Sequence, residues 1–109
     1  MRLRLDYYDQ NENFAALLPQ NGFVERWVKS GDGSTWALFR LDNPIAYEGQ
    51  GYEQLLLKSR WVGHEIGCKE GTSVFILLVQ GGQPVINGFN AEDFYHVAWG
   101  STPPNELGE

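Results

Sequence analysis

His64-Glu65-Ile66-Gly67-Cys68 brings an imidazole, a carboxylate and a thiol into one short segment, the densest group of reactive side chains in the sequence. A zinc centre takes four protein ligands, or three and a water, usually drawn from close pairs. His64 and Cys68 supply one pair, so His96 or a distant acid would have to complete the set. An activated thiolate needs only a neighbouring base, a role open to His64 or His96 beside Cys68. Asp93 and His96 would share one face as an acid–base pair if residues 90–97 were helical, although helix capping by Asp93 is the simpler account. No nucleophile elbow and no phosphate-cradling glycine loop occurs, and Gly31-x-Gly33 and Gly81-Gly82 read as turns. These groups do not converge on one reaction. We therefore assign no catalytic residue, no metal ligand and no cofactor, and a Cys/His enzyme or metal centre ranks third among the readings.

The aromatic side chains carry more weight. Four Trp, five Tyr and six Phe in 109 residues give the chain large rigid groups to bury or to present. Trp61, Tyr95 and Trp99 lie in or next to the acidic part of the chain, with Glu65, Glu70, Glu92 and Asp93. The formal net charge is -6. Residues 1–60 hold seven basic residues against eight acids, whereas residues 61–109 hold one lysine against six acids. Clustered cations are what bind phosphate, so direct nucleic-acid binding is disfavoured. The acids are scattered rather than laddered, which also argues against nucleic-acid mimicry. Plain solubility would explain the acidity, but the acids would equally steer a basic protein surface toward the aromatic groups.

The elements that must position these residues are mostly strands. Arg2–Tyr8 alternates charged and apolar residues and reads as a first strand. Residues 11–18 form a short helix, capped by Asn11 and stopped by Pro19, with Phe14, Leu17 and Leu18 on one face. Residues 23–29 and 35–41 flank Gly31-Asp32-Gly33-Ser34, a hairpin signal. With Asp32-Gly33 as the central turn residues, Trp27 faces Leu38, Val28 faces Ala37 and Glu25 faces Arg40. Residues 42–51 read as a loop, and 53–61 favours strand over helix because of the surrounding glycines. Val74-Phe75-Ile76-Leu77-Leu78-Val79 is an unbroken apolar run, so the strand over 72–80 must be covered on both faces. Asn90 caps a helical turn, residues 94–99 lean to a last strand, and 101–109 is a mobile polar tail after a single domain over 1–100.

These elements add up to a mainly β (α+β) domain: a curled antiparallel sheet or small barrel of five to six strands with one or two short helices. One cysteine permits no internal disulfide, Met1–Asp6 lacks the apolar core of a signal peptide, and no apolar stretch approaches the roughly 20 residues of a membrane span. The expected setting is cytoplasmic, with no membrane partner. Both hairpin faces and the 74–79 run carry more apolar surface than one small core hides easily, which points to an interface. The leading expectation is a non-enzymatic protein-binding domain that self-associates as a two-fold homodimer or serves as an adaptor or inhibitor, acting through Trp61, Glu65, Glu70, Glu92, Asp93, Tyr95 and Trp99 on a protein with a basic surface. Small acidic domains of this kind are common among phage and mobile-element accessory proteins. The second expectation is a small-ligand-binding module with a Trp/Tyr-lined pocket.

Overall fold

A computed structural model describes residues 1–9, 12–60, 66 and 71–102. Six strands, β1 (Arg2–Asp9), β2 (Gln20–Lys29), β3 (Thr35–Tyr47), β4 (Gln50–Ser59), β5 (Thr72–Val79) and β6 (Tyr95–Thr102), follow one another around a closed barrel. Every neighbouring pair is antiparallel, and β1 pairs with β6 to close the circle. Closure removes both free sheet edges, which would otherwise invite pairing with another chain. No helix among the described residues is long and apolar enough to cross a membrane.

Alternation along the strands sends one set of side chains inward. Leu3, Leu5, Phe39, Leu55, Leu57, Val74 and Ile76 are at most 1% exposed and form the barrel interior. A barrel of so few strands is narrow enough to be filled by its own side chains. Gly22 and Gly100 mark where the wall comes closest. A Cβ on Gly22 would lie 2.2 Å from the Arg40 carbonyl oxygen, and one on Gly100 would lie 2.7 Å from Cδ1 of Ile76. The helix α1 is shorter than expected, Glu12–Ala15, and Asn11 lies outside the described residues. Its Phe14 enters the interior cluster edge-on to Tyr47, with centroids 5.5 Å apart.

The apolar run in β5 is covered on its inner face by the barrel interior and, at Leu77 and Val79, on its outer face by the chain itself, while Phe75 stays half-buried. Ile76 and Leu78 point into the barrel, while Leu77 and Val79 point outward with Val28, Trp36, Leu38 and Leu56. The connection from β5 to β6, residues 80–94, crosses this outer face as a strap and sets Val85, Phe89 and Phe94 on it. Phe89 packs edge-on against Trp36 and Phe94, with centroids 6.1 and 5.5 Å away. Backbone bonds tie the strap to the end of β2: Gly31 N–H to Phe89 O at 2.7 Å and Gly88 N–H to Lys29 O at 2.8 Å. Asn87 Oδ1 accepts from Lys29 N at 3.0 Å, and Arg26 donates to the Val85 carbonyl.

Three local expectations need correction. The β2–β3 loop holds three residues rather than two. Ser30 N–H bonds Ser34 O at 2.9 Å across Gly31-Asp32-Gly33, and Gly33 takes a φ of +88°. Pairing therefore slips by one: Val28 faces Trp36, Trp27 faces Ala37, and a bulge at Glu25 absorbs the mismatch farther along. A one-residue slip moves a side chain to the other face, so Val28 joins Trp36 and Leu38 outside while Trp27 shares the face of Ala37. Glu25 still bonds Arg40, now from the bulge. The supposed loop over 42–51 is strand on both sides of a two-residue turn, Glu48-Gly49, with φ of +50° and +79°. These are the mirror-turn angles that suit strand twist, and Pro44 sits in the register shift between Arg40 and Ile45, where no ladder bond is asked of it. Residues 50–59 are strand, as favoured. Of the tail expected over 101–109, Ser101 and Thr102 belong to β6 and the remainder lies outside the described residues.

Candidate binding surfaces

The strap positions the acidic pair. Asn90 caps a 3-10 turn over Ala91–Asp93, its Oδ1 accepting from Glu92 N at 3.0 Å, and Gln83 Nε2 donates to Asp93 O at 2.9 Å. The turn ends at Asp93, and His96 lies on β6, so these two do not share a helix face. Glu92, Asp93 and Tyr95 line one depression of about 310 Å³ together with Tyr52, Leu78, Gln80, Gln83 and Phe94. Tyr95 is 54% exposed, and both carboxylates are exposed and enter no ion pair among the described residues.

Trp99 does not line that depression. It stands half-buried on the outer face of β6 opposite Phe75, the two rings stacking at a tilt with centroids 4.1 Å apart. The Arg60 guanidinium lies 4.1 Å above the Trp99 ring, a cation–π contact worth about 0.5–1 kcal/mol at an exposed site. His96 is 6.0 Å from Phe75 and 6.1 Å from Trp99. The structure thus joins Glu92, Asp93 and Tyr95 and puts Trp99 in a cationic, aromatic setting. Trp61, Glu65 and Glu70, like His64 and Cys68, lie outside the described residues. No group of three or more His, Cys, Asp or Glu that could hold a metal occurs among the described residues.

A groove of about 350 Å³ separates the strap from this aromatic patch. Trp36, Phe75, Leu77 and Phe94 give it an apolar floor, and Asp32, Lys58, Glu92 and His96 bring charge or polarity to it. Lys58 Nζ is 5.7 Å from the centroids of both Trp36 and Phe75. Asp32 Oδ1 accepts from Ser30 Oγ and from Ser34 N at 2.9 Å, and these bonds hold its carboxyl down at a pKa of about 2. Nε1 of Trp36 is buried without a hydrogen-bond acceptor, an arrangement that costs roughly 1–3 kcal/mol. A third concavity, about 300 Å³, opens at the barrel end beside the β2–β3 loop and is lined by Trp27, Thr35, Ser59 and Ile66.

Sequence reasoning missed the groove. Alternation within the 74–79 run puts Phe75 on the same face as Leu77 and Val79, and Lys58 two places from Leu56 follows the same rule, so part of it could have been found. Asp32 and Trp36 could not, because the three-residue loop decides their placement. No protein-family model matches the chain, no curated protein is similar to it, and no solved structure matches its fold.

Proposed function

We propose that this domain binds a protein partner without catalysing a reaction, as an adaptor or inhibitor, and that the partner presents a basic surface to the depression lined by Glu92, Asp93 and Tyr95. The observation that carries this reading is the convergence of an exposed aromatic ring and two exposed carboxylates on one concave surface. Asn90 and Gln83 hold the backbone under the carboxylates, so little ordering remains to oppose binding. The net charge of -6 favours encounter with a basic surface. The strap already covers Leu77 and Val79 on the outer face of β5, so that part of the run needs no second copy of the chain.

The test is affinity capture from source-cell lysate with the wild-type protein and with a Glu92→Lys, Asp93→Lys, Tyr95→Ala variant of unchanged circular dichroism. A stoichiometric partner held by the wild type and lost by the variant supports the site. A partner retained equally by both removes it.

A further inference from the structure

We propose that the groove between the strap and the β5–β6 face is a binding site for a small zwitterion with an apolar body, the chemistry of a free apolar α-amino acid. The site and its ligand are separate from the protein-docking depression, although Glu92 borders both. The volume, about 350 Å³, falls at the lower end of small-molecule sites, which run from roughly 300 to 1,000 Å³. The floor of Trp36, Phe75, Leu77 and Phe94 suits an aromatic or branched side chain.

Charge selects among ligands with such a body. Lys58 enters no ion pair among the described residues, and its ammonium stands between the rings of Trp36 and Phe75. Asp32 and Glu92 line the same groove with the opposite sign. An apolar anion would meet Lys58 favourably but also two carboxylates; an apolar cation would satisfy the acids and be repelled by Lys58. A zwitterion answers both, its carboxylate at Lys58 and its ammonium toward Asp32 and Glu92. Asp32 is ionised throughout the neutral range, and its bonds to Ser30 and Ser34 fix where the carboxylate stands.

The test is nuclear magnetic resonance on the full chain, following the indole Nε1–H signals during titration with L-phenylalanine, phenylethylamine and 3-phenylpropionate. L-Phenylalanine is expected to move the Trp36 signal saturably, with each singly charged analogue weaker by roughly tenfold or more for the lost charge-assisted contact. Lys58→Met should abolish the L-phenylalanine response while leaving the spectrum dispersed. Glu92→Gln should weaken L-phenylalanine and strengthen 3-phenylpropionate. No saturable shift, equal response to all three compounds, or an unchanged response in Lys58→Met would overturn the proposal. A partner retained by the Glu92→Lys, Asp93→Lys, Tyr95→Ala variant, with the wild-type groove response intact, would instead strike only the docking depression.

Discussion

The outer face of the barrel is one surface with two fates. Over β3 and β4, Leu38 and Leu56 are 2% and 0% exposed because the strap lies on them. Over the β5–β6 pair, Phe75 and Trp99 are half-buried and His96 is exposed, packed on one another and on Arg60. The strands obey the same alternation in both places. What differs is whether the chain returns over them. Apolar residues facing outward therefore do not by themselves identify an interface, because the chain itself can cover them.

The largest expected effect is on the covered side. Phe89→Ala removes the ring that the strap inserts against Trp36 and Phe94, and should cost about 3–5 kcal/mol in urea unfolding. Trp99→Ala, on the uncovered side, should cost less than half as much. Equal losses would make the open face a second core and end the contrast. Next, Glu92→Lys with Asp93→Lys should weaken partner capture by roughly tenfold or more, about 1.4 kcal/mol, with no matching loss of stability. Capture of the same partner at unchanged strength would reduce the acids to a solubilising role.

Smaller effects probe how the strap is set. Asn90→Ala removes the acceptor for Glu92 N–H and should cost about 1 kcal/mol, read as a fall in the urea midpoint. A neutral result would mean that the bonds to Lys29 and Gly31 alone hold the strap. The smallest effect is the titration of Asp32. Its pKa is depressed from 3.8 to about 2, chiefly by the Ser30 hydroxyl and then by Ser34. A depressed carboxyl contributes stability that is whole above pH 3.8 and is lost as pH falls through about 2. Side-chain carboxyl chemical shifts should show a midpoint near that lower value in the wild type and a return toward 3.8 in Ser30→Ala. An unshifted wild-type midpoint would show that the loop is not organised around Asp32.

The β character of this chain was determined locally. Alternation at Arg2–Asp6, the glycine-flanked runs and the demand of Val74–Val79 for two covers all follow from side-chain period and burial, which operate over a few residues. Barrel closure, the cover and the site depended on contacts between distant parts of the chain. The strap has no periodicity of its own, so nothing within 80–94 announces that it will lie across β3 and β4. The hairpin's appearance was legible, but its register was not: a third loop residue, stabilised by Asp32 and Gly33, exchanged the faces of Trp27 and Val28. The joining of Glu92, Asp93 and Tyr95, and the separation of Trp99 from them, also came from outside the local sequence. Glu92 and Asp93 ride on the strap, and a register shift between Ile76 and Leu77 separates Tyr95, opposite Leu78, from Trp99, which pairs with outward-facing Phe75 beside Arg60. Residue type sets which chemistry is available, but neighbours brought from far along the chain decide which groups act together.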